Sequence, residues 1–354
     1  MRLCVFRFRT GKHLTMSLSV TSLSVPSRIF SGAKTRFLVR RLLQAFLVIF
    51  LVVIANFVIL HLAPGDMVDV LSGSSDMNAE QIAELRVEYG LDQPAVVQLG
   101  KYLFRLARFD LGYSFRNNAP VLDVLLLRLP TTLLLVLLSV TASVAIGTLL
   151  GVAAARNAGK PLDSLLSGVA LICYATPVFI IAISLILIFS VWLRWLPISG
   201  LSTLASRATG FAYLCDVALH LVMPVTALCA FYVAIYLRLA RSSLLEVMHL
   251  DFVRTAKAKG LSPRRVIYRH ALRNALLPIV TMAGLQASSL MGGAVLIETV
   301  FSLPGLGRTA YESVFNRDVN MLLGVMFVSS LAVVCINMIV DVVYVLLDPR
   351  VDFK

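Results

Sequence analysis

The sequence predicts an all-α polytopic membrane protein with six transmembrane helices. Its apolar fraction is 58% and its charged fraction only 14%, against roughly 45–50% and 25% in soluble domains. The apolar residues gather in uncharged runs of about 20 or more, long enough to cross a hydrocarbon core about 30 Å thick. Basic residues crowd alternate loops. This composition excludes a large soluble enzyme, and the net charge of +13 reads as the positive-inside bias of a membrane protein rather than as a nucleic-acid footprint.

Residues 1–36 form a polar and basic extension, expected to be a disordered cytoplasmic tail; Met16 is an alternative start. The first transmembrane helix, 38–62, follows the basic run that ends at Arg40-Arg41. It is too long for a signal-peptide core and lacks a small-x-small cleavage site, so it reads as an uncleaved anchor. Residues 63–130 form an extracytoplasmic region. Within it, MNAEQIAELRVEYGLDQP has Asn78 as a helix cap and Gly90 as a stop, and VVQLGKYLFRLARFDLGYSF repeats its apolar positions at helical spacing. Together they predict a small folded cap.

The five remaining spans lie within 131–347, at about 131–155, 165–193, 218–240, 276–299 and 322–347. Pro177 predicts a kink or tilt in the third. Residues 348–354 form a tail. Residues 1–41 hold nine Lys or Arg and no acid, whereas 63–130 holds six basic and nine acidic residues. That contrast predicts both termini in the cytoplasm. Cys4, Cys173, Cys215, Cys229 and Cys335 have no CxxC pairing and read as small apolar packing residues, not metal ligands. No cofactor is expected.

Chemistry-bearing residues are sparse in the spans. His61 and His220 lie near the interfaces and read as packing histidines, and Glu298 sits near the outer end of the fifth span, where it can be solvated. A proton- or sodium-driven carrier, the alternative of a different class, usually needs buried ionisable groups or broken helices at midplane; Pro177 leaves a broken helix open, but the ionisable groups are missing. The chain also has no Walker A sequence. Energy for active transport must then come from another polypeptide, which makes this chain a translocation component and not an enzyme.

The loop 241–274 is the exception. Its segment DFVRTAKAKGLSPRRVIYRHALRN packs seven Lys or Arg into 24 positions. Ser242-Ser243 can cap a helix that stops at Gly260, and Ser262-Pro263 can restart one. The segment suits either an amphipathic helix on anionic headgroups or a docking element for a soluble partner. Further on, Gly284, Ala287, Ser288, Ser289, Gly292 and Gly293 suit close packing or the lining of a passage, and FSLPGLGR reads as a re-entrant or surface loop.

These pieces, in order, resemble the permease subunits of bacterial dipeptide/oligopeptide ABC importers of type I. RRLLQAFLVIF, HLAPGD, YGLDQP, FDLGYSFRNNAPVLDVLLLRLPTTLLL, ATPVF, WLPISG, MPVTAL, RTAKAKGLSPRRVIYRHALRNALLP, GGAVLIETVFSLPGLGR and LLDPRV carry the likeness over about 38–352. The resemblance implies a type I importer permease fold, with the insertion 63–130 between helices 1 and 2, in a bacterial inner membrane. Gly260 and Ala256 fall on the family's coupling motif, while Arg254 and Thr255 replace its Glu-Ala. By this resemblance Arg254, Thr255, Ala256, Gly260, Leu261, Ser262, Pro263 and Arg264 form the ATPase-coupling loop. The implied partners are a second homologous permease, two ATP-binding subunits, an extracytoplasmic solute-binding protein, the lipid bilayer and a peptide in transit, with no nucleic acid. The same architecture also serves nickel, glutathione and other small solutes.

Overall fold

Long uncharged runs give long helices, because a backbone in hydrocarbon must satisfy its polar groups internally. The computed structural model describes residues 29–62, 87, 93–114, 116–203 and 209–347. The tails, and most of the acidic stretch 77–92, lie outside the described residues. Helix α1 covers Ile29–Leu62 and α2 covers Ala95–Ala107. A two-residue hairpin follows, β1 Tyr113–Ser114 paired antiparallel with β2 Ala119–Pro120. Then come α3 Val121–Arg156, α4 Pro161–Ala175, and α5 Val178–Leu185, which widens into a π-helical turn over Ile186–Trp192. Helix α6 covers Phe211–Val247 and α7 Asp251–Ala258, and a short α8, Pro263–Arg265, opens through a π-helical turn, Val266–Ala271, into α9, Leu272–Val300. Last are α10 Leu306–Phe315 and α11 Val319–Leu347.

Five stretches are long and apolar enough to cross a membrane, within α1, α3, α6, α8–α9 and α11, and α4 with α5 make a sixth crossing bent by 98°. The kink expected at Pro177 is therefore a break. Pro177 lacks an amide hydrogen, and the residue before it is pushed out of the helical region; Thr176 accordingly adopts an extended ψ of 125°.

Helices α3 and α6 form the most extensive seam. It depends on GTLLG, in which Gly147 and Gly151 lie one turn apart on the same face. A Cβ at Gly151 would sit 2.6 Å from both the Leu237 carbonyl oxygen and Ala240 Cβ, and one at Gly147 would sit 2.5 Å from Tyr236 Cβ. Small residues spaced by four let two helix backbones approach within lipid. The main core joins this seam to α9, α10 and α11 through Leu125, Leu135, Leu221, Ile297, Phe301 and Met321. Tyr102 of α2 stacks on Phe57 of α1 at 5.9 Å. Burial pushes its phenol up to about 12.

The structure corrects three expectations. Glu298 is fully buried: Thr132 Oγ1 donates to its Oε1 at 2.6 Å and the Arg308 amide to its Oε2 at 2.9 Å. FSLPGLGR is no surface loop, since Phe301, Leu303 and Leu306 are buried in a tight turn against that carboxylate and the chain then continues as α10. Of the described cysteines only Cys229 is buried, while Cys215 and Cys335 are exposed. His220 is buried, with Nδ1 2.8 Å from the Asp216 carbonyl oxygen, as suits a packing histidine. The small residues of the fifth span divide between a close helix contact and the wall of a cavity. Gly284 meets Val340 on α11, while Ser288, Ser289 and Gly292 line a hollow of about 550 Å³ between α1, α9 and α11.

Gly151→Ala forces a methyl group into backbone and is expected to destabilise the fold by about 1–3 kcal/mol. The measurement is a lowered unfolding midpoint in detergent, with Gly168→Ala, which meets nothing within 4 Å, unchanged.

Candidate functional site

The loop between α6 and α9 concentrates the exposed charge that the spans lack. Ser242 and Ser243 do not cap a new helix, because α6 runs past them to Val247. Ser242 Oγ instead bonds back to the Arg238 carbonyl at 3.0 Å, a common arrangement for serine inside a helix. The chain breaks over Met248–Leu250 and restarts as α7 with Asp251 in its first turn and Lys257 in its last, both favourable to the helix dipole.

Helix α7 ends at a left-handed glycine. Gly260 has φ +75°, a conformation that costs an L-residue roughly 1–2 kcal/mol. The Leu261 amide reaches back to the Ala256 carbonyl at 3.4 Å and the Gly260 amide to the Lys257 carbonyl at 3.0 Å, tightening the turn. A Cβ on Gly260 would meet nothing within 4 Å, so backbone conformation, not crowding inside this chain, selects glycine. Pro263 then takes the first helical position after an extended Ser262. Ser262 stands at the cap position but its hydroxyl makes no capping bond there.

The inner side of this turn is fastened down. Val253 and Ala256 from α7 and Val266 and Ala271 from the π-helical turn pack with Val152 and Ala155 of α3, Leu244 and Val247 of α6, and Ala275 of α9. Three membrane helices thus end on one small apolar cluster. A second tie lies beside it. Arg241 of α6 forks onto Asp163 of α4, Nε to Oδ1 at 2.7 Å and Nη2 to Oδ2 at 2.8 Å, and the Gly159 amide donates to Oδ2 at 3.1 Å. Asp163 is only 8% exposed at its side chain. A bidentate pair of this kind fixes direction as well as distance.

The expected site residues divide between two faces. Arg254, Thr255, Gly260, Ser262, Pro263 and Arg264 are exposed, Leu261 is half-buried, and Ala256 is buried against the core. Ala256 therefore seats the helix and is not available as a contact. Arg254 lies 3.5 Å from Asp251, with side chains 72% and 97% exposed, so that pair contributes little. Sequence reasoning did not single out Phe252, Arg265, Tyr268 and Arg269. Phe252 is exposed on α7, and the others line an open hollow of about 690 Å³ with Ser262 and Arg264. Their signal was the helical phase set by Val253, Ala256 and Val266, which leaves these positions outward. The face is exposed, basic and shallow, with an aromatic edge.

Residues 147–353 match the family described as the binding-protein-dependent transport system inner membrane component, and residues 34–136 match the N-terminal part of the corresponding membrane component. The chain belongs to this family. It is a multi-pass inner-membrane permease subunit of a binding-protein-dependent ABC importer. The oligopeptide transport system permease protein AppB of Bacillus subtilis is 35% identical over 320 residues, covering 90% of this chain and 99% of that one. The di/tripeptide transport system permease protein DppB of Pseudomonas aeruginosa is 37% identical over 330 residues, covering 89% and 98%. DppB of Escherichia coli, a dipeptide transport system permease protein, is 34% identical over 336 residues, covering 90% and 99%. In fold, a chain of the inward-facing MetNI methionine ABC transporter superposes with a TM-score of 0.52 at 19% identity, covering 64% of this chain and 97% of that one. The architecture is that of a type I importer permease.

The Arg241–Asp163 fork generates a prediction. In a double-mutant cycle of Asp163→Asn and Arg241→Gln, unfolding midpoints in detergent are expected to give a coupling of about 0.5–3 kcal/mol. Additive effects would show that the fork contributes nothing to the permease.

Proposed function

We propose that this permease subunit imports short peptides, driven by a separate ATPase that seats on the outward face of α7 and the Gly260 turn. One observation carries the reading: the exposed, basic turn at Gly260 is packed on its inner side against the ends of α3, α6 and α9. A push on α7 cannot be absorbed locally, because its inner side is closely packed. It must displace three spans together, which is how a packed two-state element passes a local event to a distant site. The left-handed Gly260 keeps the turn tight, and its open surroundings leave room for a partner's surface. Arg254, Lys257, Lys259, Arg264 and Arg265 offer cations to acids on that surface.

The chain supplies half of a path, so the remaining partners follow the family resemblance: a second permease, two ATP-binding subunits and an extracytoplasmic solute-binding protein. The named cargo of AppB and DppB supports peptides as substrate class. Both termini are assigned to the cytoplasm by the basic residues of 1–41 and 241–274. The proposed domains are the extension 1–36, whose last part already belongs to α1 from Ile29, the first transmembrane helix 38–62, the extracytoplasmic region 63–130, the core 131–347 and the tail 348–354. On the opposite face, 63–130 and 300–321 would meet the solute-binding protein.

Gly260→Asp is expected to leave an inserted, folded complex that still hydrolyses ATP but no longer accumulates peptide. Uptake into proteoliposomes and phosphate release, measured on one preparation, test this; retained substrate-stimulated hydrolysis together with uptake overturns it. For the other face, photo-crosslinkers at residues 80–92, which lie outside the described residues apart from Val87, are expected to capture the solute-binding protein during transport. Absence of any adduct under active uptake counts against that contact.

A further inference from the structure

Helix α2 combines a membrane depth, an apolar seat and an unaccounted positive charge. Its inner face, Leu99, Tyr102, Leu103 and Leu106, packs into the main core beside Phe57. Phe57 lies inside the crossing Val39–Ile59, and the Tyr102 ring stacks on it. Helix α2 therefore sits beside the end of α1 at the level where hydrocarbon gives way to headgroups, not out in the aqueous space. This is the face of the membrane opposite the α7 turn, because α3 begins here, with the Val121 amide bonded to Gly112 at 3.0 Å, and descends to meet α7 at its other end.

The outer face of α2 is neither plainly polar nor plainly apolar. Val96 is 81% exposed, Phe104 59% and Phe109 58%, and between them stand exposed Lys101, Arg105 and Arg108. The Arg108 guanidinium lies 4.2 Å from the Phe104 ring centroid, which holds the cation on the aromatic face. None of the three cations has an acidic partner among the described residues. Orientation does not account for them either, since the positive-inside bias fills the opposite face. An aromatic and basic face at that depth matches an amphipathic helix lying in the interface, with rings among the upper acyl chains and cations on phosphates.

We propose that α2 is an anionic-phospholipid binding surface, with Lys101, Arg105 and Arg108 holding the headgroup phosphate of a lipid such as phosphatidylglycerol and Val96, Phe104 and Phe109 meeting its acyl chains. An occupant of this face must match both the cations and the apolar residues between them. The lipid satisfies both. The site requires only the assignment of the spans, so it stands or falls independently of ATPase docking and of peptide as cargo.

The test uses the assembled transporter in nanodiscs, with bimane attached through Val96→Cys in a complex whose native cysteines, including Cys4, Cys173, Cys215, Cys229 and Cys335 of this chain, are replaced by serine. Brominated phosphatidylglycerol, diluted into phosphatidylcholine, is expected to quench the probe more strongly than brominated phosphatidylcholine at equal content. Each basic side chain removed lowers that preference by up to about fivefold. Lys101→Gln should lower it in part, and the triple change Lys101→Gln, Arg105→Gln, Arg108→Gln should bring it to parity. Gel filtration of each complex establishes that it remains assembled. Three results overturn the proposal: no quenching by either lipid, which assigns the face to protein or water; equal quenching by both lipids in the unmodified chain; or a preference unchanged in the assembled triple variant.

Discussion

The close approach of α3 and α6 is the constraint on which the rest depends. Gly151 lets the α6 backbone come so near that a Cβ would lie 3.1 Å from the Arg241 amide nitrogen. That same residue sends its guanidinium to Asp163 and fixes α4. In the next turn of α3, Val152 and Ala155 provide the floor on which α7 rests. The position of the loop is thus inherited from a helix contact inside the membrane. Hydrophobic burial contributes little to such a contact, because lipid is as apolar as leucine, so its specificity comes from shape.

The opposite end is organised by a different force. Around Glu298 the chain accepts a buried carboxylate and surrounds it with donors: the Thr132 hydroxyl and the Arg308 amide. Thr132 Oγ1 in turn accepts the Leu306 amide at 2.8 Å. Gly305 is required there because a Cβ would fall 2.3 Å from the carboxyl carbon. A buried carboxyl group is tolerated when its oxygens find hydrogen-bond partners of this kind. One end of the bundle is consequently held by packing and the other by polar satisfaction.

Much of this was legible in the sequence. Uncharged runs located all six crossings, helical spacing located α2, and glycine and proline located the turn at Gly260 and the restart at Pro263. Legibility failed where two distant residues decide. Glu298 at a span's end is solvated by default, and Thr132, 166 positions away, helps the following turn to reverse that. Asp163 and Arg241 are 78 positions apart and look like ordinary interfacial charges until they meet. Pro177 announced a disturbance, but the size of a bend depends on what the two arms pack against. GTLLG is a different case, since two glycines four apart in an apolar run are a readable signal for close packing. Ala256 was legible as to position but not as to direction, which the phase of Val253 supplies.

The break at Thr176-Pro177 has a consequence for how the protein is made. Helix α4 and the arm formed by α5 with its π-helical turn each have 15 residues, about 22 Å of helix, short of a hydrocarbon core about 30 Å thick. Neither arm can hold itself across the bilayer as a free rod. Their lasting partner is α6, which is synthesised after both and packs against each. Until α6 has entered, the third crossing is an unfinished piece of topology, and the order of synthesis places its completion in the hands of the helix that leads into the Gly260 turn.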